Sequence, residues 1–184
     1  MPRLIHLNGP PGVGKSTLAR RYAAEHPGVL MCDIDLLRTM IGGWQDDDGA
    51  AARIRTAALA LITRYLATGH DVVMPQTVGR EGELARFTAA AEDAGAEHVH
   101  VELVAEPGVV VERFRGRAAG AIDEWTGFAT RYVDREGGDA ALREWTALVH
   151  TLPAAARVPS TDLETTYRSL LEALGESMQE PAVP

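Results

Sequence analysis

RLIHLNGPPGVGKSTLARRYA, residues 3–23, decides how the rest of the chain is read. Arg3 to Asn8 is a short, mostly apolar run that stops at a glycine, the pattern of a buried strand. From Lys15 the apolar residues Leu18 and Tyr22 recur at helical spacing, and the pattern ends before Pro27-Gly28. Between strand and helix, Gly9-Pro10-Pro11-Gly12-Val13-Gly14-Lys15-Ser16 matches G-x-x-x-x-G-K-[ST] at every fixed position. Glycines at 9, 12 and 14 let the backbone turn left-handed and aim its N–H groups at an anion. The helix N-terminus adds partial positive charge at the same point. Residues Gly9 to Thr17 therefore read as a cradle for a nucleoside triphosphate. Lys15 is expected to reach the β- and γ-phosphates and Ser16 to place its hydroxyl on Mg²⁺, so ATP and Mg²⁺ are the expected cofactors.

The remainder alternates between the two periodicities. Further strands are expected at Val29–Cys32, Asp71–Met74, His98–Ala105 and Ala156–Pro159. Helices are expected over Asp35–Ile41, over residues 50–68 up to Gly69, over Arg80–Ala94, and from Pro107 to about Arg115. Two more cover Thr126–Leu152, with a break at Gly137-Gly138, and Asp162–Leu174. Strands alternating with helices imply a parallel sheet covered on both faces. The expected fold is thus a three-layer α/β phosphate-loop domain with a five-stranded parallel sheet and a helical lid. It forms one domain over residues 1–178, with the lid at about 113–126 and a frayed tail at 179–184.

Composition narrows the function classes. The 184 residues are 46% hydrophobic and 24% charged, the balance of a globular domain with one core. Lys and Arg number 18 against 26 Asp and Glu, a net charge of -8, which disfavours a nucleic-acid partner. The single cysteine, Cys32, excludes an internal disulfide and a cysteine-rich zinc site. No apolar run approaches the roughly 20 residues that span a bilayer, and the first residues lack a signal-peptide core, so no membrane partner and a cytoplasmic location are expected.

The fate of the phosphate depends on residues outside the loop. The chain has no Asn-Lys-x-Asp for reading guanine and no Leu-Ser-Gly-Gly signature of transporter ATPases. The third strand runs into Met74-Pro75-Gln76 with no carboxylate, unlike the strand ending in Asp or Asp-Glu of motors and AAA-type engines. The carboxylates stand instead after the second strand, in Cys32-Asp33-Ile34-Asp35-Leu36-Leu37-Arg38. Here the chain resembles the phosphate-loop kinases: shikimate and gluconate kinases, the zeta-toxin and chloramphenicol phosphotransferase group, and polynucleotide 5′-kinases. Asp33-x-Asp35 is similar to the Asp-x-Asp of shikimate kinases, where one carboxylate serves Mg²⁺ and the other the acceptor. Asp35-x-x-Arg38 is similar to the Asp-x-x-Arg of polynucleotide kinases, where Asp is the general base and Arg binds acceptor phosphate. The resemblance implies phosphoryl transfer from ATP to a hydroxyl, with Asp33 replacing the strand-end Asp that many relatives have at the position of Gln76. On chemistry alone, a carboxylate at the C-terminal edge of a parallel sheet faces the phosphate loop and can take the acceptor's proton.

Arg113-Phe114-Arg115-Gly116-Arg117 occupies the place where the lid of such kinases supplies arginines, and Arg113 and Arg117 are the catalytic candidates. Acceptor-binding candidates besides Asp35 are Arg38, which shares a helix face with it, Trp44, Gln76 and Arg80. Trp44 is expected either to stack on the acceptor or to support the long helix. Arg80 falls in a helix first turn, a poor place for a cation without another task. The acceptor is left open among a small metabolite, a nucleoside and an antibiotic, with a 5′-hydroxyl polynucleotide as the alternative. A nucleotide-binding regulator with no acceptor is the reading from a different class.

Overall fold

The computed structural model describes residues 1–120 and 124–178. Residues 121–123 of the expected lid and the expected tail at 179–184 lie outside the described residues. Five strands form the sheet: β1 (Arg3–Asn8), β2 (Leu30–Met31), β3 (Val72–Pro75), β4 (Glu97–Val104) and β5 (Ala156–Pro159). All pairings are parallel and the order is β2-β3-β1-β4-β5. β1 is central, so the connections leave it toward opposite edges and its C-terminal end opens onto a crevice where α/β sheets collect ligands.

Eight helices are described: α1 (Lys15–Glu25), α2 (Ile34–Arg38), α3 (Ala50–Leu66), α4 (Glu81–Glu92), α5 (Pro107–Gly120), α6 (Glu124–Arg135), α7 (Asp139–Val149) and α8 (Leu163–Ala173). Alternation along β1 sends Leu4, His6 and Asn8 to one face and Ile5 and Leu7 to the other. Leu4 joins Val72, Met74, Ile62, Leu66 and Phe87 in a core built with α3 and α4. Ile5 and Leu7 join Leu18, Tyr22, Val101, Tyr167 and Leu170 in a second core built with α1 and α8. A third, small cluster of Phe114, Val133 and Leu142 holds α5, α6 and α7 together as a cap.

Two elements differ from expectation. α5 continues to Gly120, past the expected end near Arg115. β2 shrinks to two residues because only Leu30 and Met31 find strand partners in β3. The break expected at Gly137-Gly138 separates α6 from α7, with both glycines at positive φ.

Candidate active site

The phosphate loop needs glycine for two separate reasons, conformation and space. Gly9 has φ 147° and Gly12 φ 87°. A Cβ on Gly9 would sit 2.8 Å from the Leu103 carbonyl oxygen, and one on Gly12 would sit 3.0 Å from the Phe114 nitrogen. β4 and α5 thus press the loop into shape from below. Lys15 is buried, its ammonium donating to the carbonyls of Gly9 and Pro10 at 2.9 Å each. Burial lowers its pKa to about 8 and the charge of Arg117 pushes the same way, while Asp35 and Asp33 oppose.

Asn8 ties this loop to its neighbours. Its Oδ1 accepts from the backbone N–H of Gly9 at 2.8 Å and of Val78 at 2.9 Å. Its Nδ2 donates to the Val78 carbonyl at 2.9 Å and to His100 Nε2 at 3.1 Å. His100 keeps that nitrogen free because its Nδ1–H donates to the Pro153 carbonyl at 2.6 Å. Thr77 adds a hydrogen bond from its hydroxyl to the Gly9 carbonyl, 2.8 Å. The donor side of the crevice is therefore stitched to the loop after β3. His6, His98 and His100 stack on the same sheet face with ring centroids 5.1 to 6.3 Å apart. Burial lowers the pKa of all three, that of His98 to about 4.

Asp33 is the N-cap of α2, its Oδ1 accepting from the Asp35 and Leu36 N–H groups at 3.1 and 3.2 Å. The cap turns Asp35 into the first turn of α2, at the C-terminal edge of the sheet. Burial, and then the Asp33 carboxylate, raise the Asp35 pKa to about 6 against Lys15, Arg55 and Arg38. Lys15 and Asp35 thus perturb each other across the crevice. Among the described residues no group of three or more histidine, cysteine, aspartate or glutamate side chains could hold a metal ion alone.

A family model described as an AAA domain matches residues 4–147, most of the chain. The chain belongs to the AAA domain family. The edge that carries the carboxylate of an AAA-type engine nevertheless ends in Met74, Pro75 and Gln76. Solved structures with the same phosphate-loop kinase fold include a tunicamycin resistance protein from Deinococcus radiodurans, with TM-score 0.65 and 18% identity over 98% of this chain and 100% of that one. A gluconokinase from Sinorhizobium meliloti gives TM-score 0.57 and 21% identity over 95% and 92%. An APS kinase from Mycobacterium tuberculosis, in complex with AMPPNP and APS, gives 0.60 and 15% over 96% and 100%. A comparison with curated proteins returns no significant match.

In this AAA-family chain the three arginines expected on the lid go separate ways. Arg113 turns to the β5–α8 corner, donating to the Ser160 hydroxyl at 2.9 Å and the Thr161 carbonyl at 2.6 Å. The Ser160 hydroxyl in turn donates to the Val13 carbonyl of the phosphate loop, 2.7 Å. Arg113, expected as a lid arginine, is thus held at the β5–α8 corner beside the phosphate loop. Arg115 pairs with Asp134 and Asp139 at 2.8 and 2.9 Å, joining α5 to α6 and α7. Arg117 makes no hydrogen bond or ion pair among the described residues; it is exposed, and its charge is felt by Lys15.

The acceptor-side candidates also separate. Trp44 is only 4% exposed, with Phe128 at 4.8 Å and Trp125 at 5.7 Å between ring centroids. Of the two roles expected for it, stacking on the acceptor or support, these contacts are those of a ring packed against α6. Arg38 lies against the same rings, 4.8 Å from the Phe128 centroid and 5.5 Å from that of Trp44. Gln76 is buried with an orphaned Oε1, and its carbonyl accepts from His6 Nε2 at 2.9 Å. Arg80 is exposed at the N-cap of α4 and caps nothing with its side chain. Arg55 was absent from the sequence candidates. It falls in register with the buried α3 positions Ala58, Ile62 and Leu66, and a cation on an apolar stripe is the signal that marks it.

Proposed function

We propose that the protein is an ATP-dependent phosphotransferase acting on a hydroxyl of a small-molecule acceptor, with Asp35 as general base. The observation that carries this reading is the Asp35 carboxylate, raised to about 6 and coupled to the phosphate-loop ammonium of Lys15. A base poised near neutrality suits proton removal from an alcohol, and a sensor has no use for one. The kinase fold shared with the gluconokinase and the AMPPNP-bound APS kinase supports the same direction.

In this reading the acceptor O–H proton passes to Asp35 as the acceptor oxygen bonds to the γ-phosphorus. The bond from that phosphorus to the β–γ bridging oxygen breaks, and ADP leaves. Lys15 and the N–H groups of Gly12 to Thr17 hold the phosphates, and Arg117, unpaired and felt by Lys15, balances charge on the transferring group. Hydroxyl and carboxylate oxygens are the hard donors that suit Mg²⁺, and Asp33 caps α2 through only one of its two oxygens. Ser16 and Asp33 would therefore hold the ion, which supplies charge neutralisation when bound.

The test is acceptor-stimulated ADP release, screened over hydroxyl compounds, with Asp35→Asn compared against wild type. Loss of Asp35 is expected to lower the rate about 10²- to 10⁴-fold while leaving the affinity for an ATP analogue near that of wild type. An Asp35→Asn protein transferring phosphate at the normal rate would remove the base assignment.

A further inference from the structure

The glycine that lets the phosphate loop take its shape also lets it lose that shape. Gly14 stands at the N-cap of α1 with φ 101°, and no side chain caps the helix there. Its N–H finds no partner among the described residues, as expected of a donor that an anion completes. That N–H belongs to the Val13–Gly14 peptide, and in a trans peptide the carbonyl and the N–H point in opposite directions. Turning the plane over would withdraw the N–H from a bound phosphate and present the Val13 carbonyl to it. Beside glycine such a turn meets little steric resistance, because the φ of Gly14 is free to follow.

Two contacts oppose the turn. The Val13 side chain is fully buried in the second core. The Val13 carbonyl accepts from the Ser160 hydroxyl at 2.7 Å. Ser160 is itself fixed by the sheet, since it directly follows β5 and its backbone N–H donates to the Val104 carbonyl of β4 at 2.7 Å. Arg113 of α5 then sets which way the hydroxyl points. Its guanidinium donates to Ser160 Oγ at 2.9 Å, to the Ser160 carbonyl at 3.3 Å and to the Thr161 carbonyl at 2.6 Å. A guanidinium cannot accept, so the one hydroxyl proton goes to Val13, and each bond in the chain strengthens the next. No motif in the loop announces this link, because Ser160 lies 147 residues from Val13.

We infer that Ser160 is a positioning residue of the phosphate loop, holding the Val13–Gly14 peptide so that the Gly14 N–H faces a bound phosphate, with Arg113 as the group that orients its hydroxyl. Neither side chain has to touch the nucleotide for this. The inference rests on the loop holding a nucleotide, as in the phosphotransferase reading, and needs neither Asp35 nor an acceptor.

The experiment measures ADP binding with Mg²⁺ by the whole protein, followed by calorimetry and by the Gly14 amide proton in nitrogen–proton correlation spectra. In wild type that proton is expected to move downfield on ADP binding, as an N–H does on meeting a charged oxygen. Ser160→Ala is expected to bind ADP about tenfold more weakly and to lose most of the Gly14 shift. Ser160→Thr keeps the hydroxyl and is expected to restore both. Arg113→Gln is expected to weaken ADP binding by less than Ser160→Ala does. The Ser160→Ala/Arg113→Gln double variant should bind no worse than Ser160→Ala alone, because both changes break one chain of hydrogen bonds. Thermal melts without nucleotide show that each variant is folded. Additive losses in the double variant would remove Arg113 from the chain. ADP affinity and a Gly14 shift equal to wild type in Ser160→Ala, or a loss that Ser160→Thr does not restore, would overturn the assignment of Ser160. Absence of ADP binding in wild type is a distinct result that removes the nucleotide reading, and the assignment with it.

Discussion

Asp35 and Lys15 shift each other's neighbourhood in ways that a pH profile reads directly. Burial, and then Asp33, raise Asp35 to about 6, and burial lowers Lys15 to about 8. The base must be ionised and the ammonium charged, so kcat/KM for ATP is expected to rise through about pH 6 and fall through about pH 8. Arg117 is one cause of the low Lys15 value, so Arg117→Gln is expected to move the alkaline limb upward while lowering the rate. An alkaline limb that stays in place in that variant would separate Arg117 from Lys15. Stability follows the opposite sign to activity. The folded state holds the Asp35 proton more tightly than the unfolded chain, so stability falls as pH rises from about 4 to about 6 and stays lowered above that. Asp35→Asn is therefore expected to be more stable than wild type at pH 8, by about 2 kcal/mol, and equal to it below pH 4, as thermal melts would show. Lys15 and Asp35 were legible because each stands in a spacing whose backbone context is local. Arg55 was legible in principle, as a cation on an apolar helical stripe, but pattern reading treats such a residue as a surface residue by default. Trp44 was not, since a ring's choice between ligand and core is made by α6, which is remote in sequence.

At the scale of elements, the polar end of β1 matters as much as the loop that follows it. All the hydrogen-bonding capacity of the Asn8 amide is engaged, by Gly9, Val78 and His100. Asn8→Asp keeps both acceptor contacts and turns both donor contacts into repulsion, against the Val78 carbonyl and the His100 Nε2 lone pair. The variant is expected to be destabilised by roughly 2 kcal/mol at pH 8. Protonating His100 supplies a donor to the new carboxylate, so the gap to wild type should narrow as pH falls. Urea melts at several pH values check this, and a gap that does not depend on pH would break the link between Asn8 and His100. Element types and order were readable because strand, loop and helix each declare themselves over a few residues. Which strands become neighbours was not, because β1 pairs β3 and β4 rather than β2, a choice made by the crossovers. The same limit hid the fate of Arg113. A single residue's position on α5 fixes its height along the crevice, but the Ser160 corner that captures it comes 47 residues later.

The molecule as a whole is a sheet with two cores and a small third core in its cap, and a line of cap rings on α6 and α7 meets the rest of the fold at Trp44, in the loop between α2 and α3. Phe128 of α6 touches Trp44 at 4.8 Å and Trp125 at 5.6 Å, and the line continues through Tyr132 to Trp145 at spacings of 6.3 and 6.0 Å. Arg131 adds a hydrogen bond to Gln45 at 2.9 Å in the loop between α2 and α3. The central cores, built on β1, contain none of these rings, so the seam can loosen without unfolding the sheet. Phe128→Ala removes the ring nearest to both Trp44 and Arg38. Its expected cost is about 2 kcal/mol, less than for a fully buried Phe, and confined to the cap. Hydrogen exchange should quicken in α6 and stay slow in β1 and β4. Arg38 would lose its nearest ring, while ADP binding, which depends on Lys15 and on the loop seated on Leu103 of β4, stays near wild type. If ADP binding fell in this variant, the cap and the phosphate loop would be a single cooperative unit, and the division of the site into a donor half on the sheet and an acceptor half under the cap would be lost.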